Sequence, residues 1–160
     1  MDSHLAELSA ALGRAALANK RVLATAESCT GGWAAQVITH TAGSSDWFDC
    51  GFVTYSNAAK TALLDVNTVT LTRFGAVSVE TAAEMAVGAL AHSRADLSVA
   101  ITGIAGPGGG SSSKPVGTVC FAWVVRGRPP ETDIQHFVGD REAVRRAAVI
   151  HALLGLEKRA

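Results

Sequence analysis

The chain has 160 residues, 48% of them hydrophobic and 18% charged, the make-up of an ordinary soluble globule that reads as a single domain over 1–160. Fourteen Lys and Arg stand against fourteen Asp and Glu with no basic run, which argues against nucleic acid as a partner but leaves room for one phosphate held locally. Three cysteines without CxxC spacing and five scattered histidines give neither a disulfide framework nor a zinc site, and no leader-like or membrane-length apolar stretch stands out, so the expected location is cytoplasmic with no membrane partner.

Residues 3–19 are predicted to be helical, because Leu5, Leu8, Leu12, Ala15 and Ala16 fall on one face and Asp2 or Ser3 can cap the start. The apolar run at 22–26 reads as the first strand. It empties into Glu27-Ser28-Cys29-Thr30-Gly31-Gly32, and helical periodicity resumes over 32–40 before stopping near Gly43. Phe48 to Thr54 is a second strand, rich in β-forming side chains. Ser56 or Asn57 then caps a short helix to Leu64, and 68–74 add a further helical turn or two. Ser78 opens a helix with Glu80 in its first turn and an apolar stripe of Ala82, Met85, Ala86, Ala89 and Leu90. Leu97 to Thr102 is a buried strand, followed by a glycine-rich loop over 103–113. Thr118 to Val125 and Thr132 to Val138, joined through Arg128-Pro129-Pro130, read as an antiparallel hairpin, and Asp140 caps a last helix over 141–154. Early helix–strand alternation and a late hairpin predict an α/β fold: a three-layer α/β/α sandwich on a mixed, mostly parallel sheet with a C-terminal antiparallel hairpin.

The turn after the first strand carries the chemistry. It sets a hydroxyl, Ser28, beside a thiol, Cys29, where backbone N–H groups and the positive end of the next helix converge. A nucleophile plus a place for developing negative charge is the minimum equipment for acyl transfer. The plainer alternative is a tight turn with a capping Ser and a buried Cys.

Thr25-Ala-Glu-Ser-Cys-Thr-Gly-Gly32, Gly51-Phe-Val-Thr-Tyr-Ser-Asn57 with Lys60, Gly75-Ala-Val-Ser78, Thr102-Gly-Ile-Ala-Gly-Pro-Gly-Gly109, Lys114-Pro-Val-Gly-Thr118 and Gly139-Asp-Arg-Glu142 with Arg145 occur in this order. Together they resemble the CinA C-terminal domain family, the nicotinamide-nucleotide amidases, over roughly residues 5–155. The resemblance implies an amidohydrolase that turns nicotinamide mononucleotide and water into nicotinic acid mononucleotide and ammonia, a step of pyridine nucleotide recycling. It also implies an α/β/α fold and a homodimer; the expected chemistry calls for no metal or organic cofactor. Longer members of the family carry an N-terminal molybdopterin-binding-like domain, which is not expected in a chain of this length.

Within that resemblance Ser28 is the expected nucleophile. Alternation along the chain would aim Cys29 the other way, into the core, although a Cys29-dependent amidase is the rival within enzymes. Lys60 is the expected base, since a helix N-terminus and burial both lower a lysine pKa from about 10.4 toward the range where it takes protons. Tyr55, the only tyrosine, is expected to relay a proton between the two or to orient them. Glu27, Cys29, Thr30, Gly31 and Gly32 form the turn placed against the substrate, with its N–H groups holding the oxyanion. The loop carrying Thr102, Gly103, Gly106 and Gly108 is not a Walker A motif, because Lys114 is followed by Pro115. It is expected to approach a sugar–phosphate or the oxyanion through its N–H groups. Arg141 and Arg145 share one face at the start of the last helix, where cations need an anion nearby, and a 5′-phosphate would supply it. The rival from another class is a nucleotide-binding or interaction module of the same fold without turnover.

Overall fold

The computed structural model describes residues 1–160. The elements are α1 (Ser3–Ala18), β1 (Leu23–Glu27), α2 (Trp33–His40), a 3-10 turn (Ser44–Asp46), β2 (Phe48–Val53), α3 (Asn57–Leu64), α4 (Thr68–Phe74), α5 (Val79–Ala91), β3 (Leu97–Gly103), β4 (Thr118–Val125), β5 (Glu131–His136) and α6 (Arg141–Glu157). Polar caps fix the helix starts: Asp2, Ser56, Ser78 and Asp140 each accept a backbone N–H from the first turn of α1, α3, α5 and α6. The last helix runs past the expected 154 because Leu153 and Leu156 are buried in the core. The last strand stops at His136 rather than Val138, after which Phe137 N–H pairs with Gly117 C=O.

The strands form one sheet in the order β2-β1-β3-β4-β5. β1 pairs parallel with β2 and β3, whereas β3–β4 and β4–β5 are antiparallel. Every strand except β4 therefore points the same way, and β4–β5 is the expected hairpin. Alternation distributes the side chains between two layers. Leu97, Val99 and Ile101 of β3 and Val119, Phe121 and Trp123 of β4 face α1, α2 and α6. Ala24, Ala26, Ala100 and Ala122 face α3, α4 and α5, and these small residues let α5 lie close to the sheet.

Two close approaches fix the helices that matter for function. A Cβ at Gly88 of α5 would overlap the Leu64 carbonyl at the end of α3, and one at Gly155 of α6 would overlap the Trp123 indole. Trp123 Nε1–H also donates to Ala152 C=O at 3.1 Å. Sheet, α3 and α6 are thus held at short range by residues remote from their N-termini.

Candidate active site

The C-terminal ends of β2, β1 and β3 lie side by side where the chain changes faces. α2 follows β1 on one face and α3 follows β2 on the other, so the end of β1 is the switch point at which such sheets bind ligands. Backbone bonds lock these ends together: Ser28 N–H donates to Ile101 C=O at 2.9 Å, and Thr54 N–H to Glu27 C=O at 2.9 Å.

Ser28 and Lys60, 32 residues apart, meet there. Lys60 Nζ lies 3.0 Å from Ser28 Oγ. It also donates to Thr54 C=O at 2.9 Å and to Tyr55 C=O at 3.4 Å. Carbonyl oxygens only accept. An unprotonated amine has two N–H bonds and one lone pair, so once both N–H groups are directed at the two carbonyls, the lone pair faces Ser28 Oγ. Lys60 is 1% exposed, and burial pushes its pKa below the ordinary lysine value. Its place near the start of α3, capped by Ser56, acts in the same direction.

Cys29 turns the opposite way, into the core beneath α2 and α6. Burial pushes its thiol up to about 12, so at neutral pH it is a protonated, weak nucleophile.

Glu27, expected against the substrate, points inward. It is fully buried and its carboxylate caps α2, accepting Ala34 N–H and Ala35 N–H at 2.9 Å each, with Thr30 Oγ1 at 2.7 Å and Thr25 Oγ1 at 3.4 Å. An anion under the N-terminus of a short helix fixes the turn that carries Ser28. Thr30, buried, serves the same anchor.

The expected proton relay through the Tyr55 phenol is not formed. Its side chain is 62% exposed, and the hydroxyl accepts from Arg141 Nη2 at 3.1 Å. The part of Tyr55 that serves Lys60 is the backbone carbonyl. Thr102 also departs from expectation, because its buried hydroxyl donates to Ala76 C=O at 2.8 Å and ties β3 to the segment entering α5. Gly103 is packed, since a Cβ there would stand 2.8 Å from Val119 Cγ2, whereas Gly108 faces open space.

Within the turn after β1, Gly31 N–H is engaged by Ser28 C=O at 3.0 Å and Trp33 N–H by Thr30 C=O at 3.0 Å. The N–H groups of Cys29, Thr30 and Gly32 meet no backbone carbonyl. Gly31 and Gly32 hold φ values of 61° and 99°, which only glycine adopts without strain. Arg145 reaches this turn from α6, with Nε 3.0 Å from Cys29 O and Nη2 3.1 Å from Thr30 O. Arg141 Nη1 donates to Gly106 C=O at 2.8 Å. Trp33, Arg141, Glu142 and Arg145 line a cleft of about 450 Å³ beside the turn. No group of three or more His, Cys, Asp or Glu side chains converges anywhere in the chain.

A hydroxyl 3.0 Å from a buried amine thus stands beside N–H groups that meet no backbone carbonyl, at the sheet's switch point. The chain belongs to the CinA C-terminal domain family, whose model matches residues 5–160. It is 54% identical over 152 residues to the nicotinamide-nucleotide amidohydrolase PncC of Escherichia coli K12, covering 95% of this chain and 92% of that protein. It is also 54% identical over 132 residues to the PncC of Pseudomonas putida, covering 82% of each. Among solved structures, the competence/damage inducible protein CihA from Agrobacterium tumefaciens matches with a TM-score of 0.94 at 46% identity, covering 98% of this chain and 95% of that one.

Proposed function

We propose that the protein hydrolyses the carboxamide of nicotinamide mononucleotide to nicotinic acid mononucleotide and ammonia through an acyl-enzyme on Ser28. The observation that carries the reading is the three-way setting of Lys60 Nζ, which lies 2.9 Å and 3.4 Å from two backbone carbonyls and 3.0 Å from Ser28 Oγ. Identity to two curated amidohydrolases of that name supports the substrate.

In the first half-reaction Ser28 Oγ bonds to the amide carbon as its proton passes to Lys60 Nζ. The carbonyl π pair moves onto oxygen, to which the Cys29, Thr30 and Gly32 N–H groups donate, each effective donor contributing about 3–4 kcal/mol. Collapse of the adduct breaks the C–N bond, and the Lys60 proton leaves with ammonia. Water then attacks the ester with Lys60 again as base, and Ser28 is regenerated. The phosphate would sit in the cleft at the start of α6, where the Arg141 guanidinium and the first-turn N–H groups are available to an anion. By the family resemblance, the working form is a cytoplasmic homodimer.

The test is ammonia and acid product measured after adding nicotinamide mononucleotide. The native chain should release both in equal amounts and Ser28→Ala neither, with melting unchanged. Saturable binding of the nucleotide by the native chain without ammonia would favour a binding module instead.

A further inference from the structure

We propose that Arg145 is a positioning residue that aims the oxyanion-binding N–H groups of the nucleophile turn, and is not a ligand of the substrate phosphate. The inference rests on the acyl-enzyme reading above. Arg145 grips two successive carbonyls, Cys29 O at 3.0 Å and Thr30 O at 3.1 Å. In a trans peptide the C=O and the following N–H point in opposite directions. The rule is visible one peptide along: with Thr30 C=O held by Arg145, Gly31 N–H faces the other way and meets Ser28 C=O at 3.0 Å. Applied to the preceding peptide, Cys29 C=O held by Arg145 turns Thr30 N–H away from α6, and that N–H is one of those that meet no backbone carbonyl.

The turn needs such a clamp. Its two glycines leave the backbone free to choose other conformations, and two carbonyls aimed the same way repel unless a cation stands between them. Arg145 is itself wedged: its guanidinium carbon lies 5.5 Å from the centre of the Trp33 ring, and a Cβ on Gly31 would come within 3.5 Å of Nη2. Arg141 differs, because its partners are a loop carbonyl and the exposed Tyr55 phenol. Those contacts are readily exchanged for a phosphate, whereas releasing Arg145 would leave Cys29 C=O without its donor and the peptide carrying Thr30 N–H unheld.

Steady-state kinetics with nicotinamide mononucleotide separate the two roles. Arg145→Gln should lower kcat by about 10²–10³, the effect of losing one aimed donor, while KM stays within about threefold. Arg145→Lys, with one ammonium able to reach one carbonyl, should recover part of kcat. Arg141→Gln should instead raise KM by about tenfold or more. A tenfold rise in KM for Arg145→Gln, or an unchanged kcat, overturns the proposal. If Arg145→Gln fails to fold, the charge-retaining Lys variant carries the same comparison. Loss of activity in Ser28→Ala together with an unchanged kcat in Arg145→Gln would sink this inference alone, and an active Ser28→Ala would sink the acyl-enzyme beneath it.

Discussion

Replacing Glu27 by Ala removes the anion beneath α2. Two helix N–H groups, Ala34 and Ala35, lose acceptors at 2.9 Å, and the Thr30 hydroxyl loses one at 2.7 Å. A hydrogen bond to a charged acceptor contributes about 1.5–3 kcal/mol, so the two backbone bonds alone come to about 3–6 kcal/mol. That is a large part of the roughly 5–15 kcal/mol that holds a domain together. At about 2–4 °C per kcal/mol for a chain of this size, Tm should fall by roughly 6–24 °C. Glu27→Gln keeps one accepting oxygen and should lose about half as much. Thermal and urea unfolding at neutral pH, followed by circular dichroism, measure both. Had Glu27 faced the substrate, stability would hold and KM would rise. A Glu27→Ala protein within 1 kcal/mol of the native chain would refute the anchoring role, on the premise that lost bonds of about this strength must show.

Further outcomes follow from the same geometry. Only the unprotonated Lys60 amine can take the Ser28 proton, so kcat/KM should climb with pH through an apparent pKa below the ordinary lysine value of about 10.4, the direction burial imposes. Lys60→Met should abolish that acid-side limb and cost about 10²–10⁴ in rate. Cys29→Ser should keep activity within a few-fold, and thiol alkylation at neutral pH should not inactivate, because the thiol is buried and pushed up to about 12. Tyr55→Phe removes only the phenol–Arg141 bond and should leave the pH limb in place, since the carbonyl that orients Lys60 remains. Gly88→Ala should destabilise the fold by about 1–3 kcal/mol or more in urea, because its new methyl group meets the Leu64 carbonyl at the end of the Lys60 helix.

Much of the fold was legible because this chain repeats local signals the physics can read. Capping Ser and Asp residues mark the starts of α3, α5 and α6, and alternation along the apolar runs separates the two faces of the sheet. The opposite facing of the Ser28 and Cys29 side chains was legible for the same reason, since adjacent residues leaving a strand point to opposite sides. The roles of Tyr55 and Thr54 were not. What serves Lys60 is a pair of backbone carbonyls, and every residue has one, so no side-chain pattern announces them. Glu27 and Thr102 sit in the motifs yet work inward: a carboxylate beside a helix start and a hydroxyl beside a free carbonyl find partners only once the chain has packed. The expectation that the whole Cys29–Gly32 segment donates to the oxyanion was also too broad, because Gly31 N–H closes the turn on Ser28 C=O.

The central claim is that the Ser28 alcohol and the Lys60 amine act as one unit, and a double-variant comparison of ammonia release addresses it most directly. Groups that work only together lose everything when either is removed. The protein with both Ser28→Ala and Lys60→Met should therefore be no slower than Ser28→Ala alone, within about threefold. Losses that multiply, or a Lys60→Met protein close to native in rate, would contradict it.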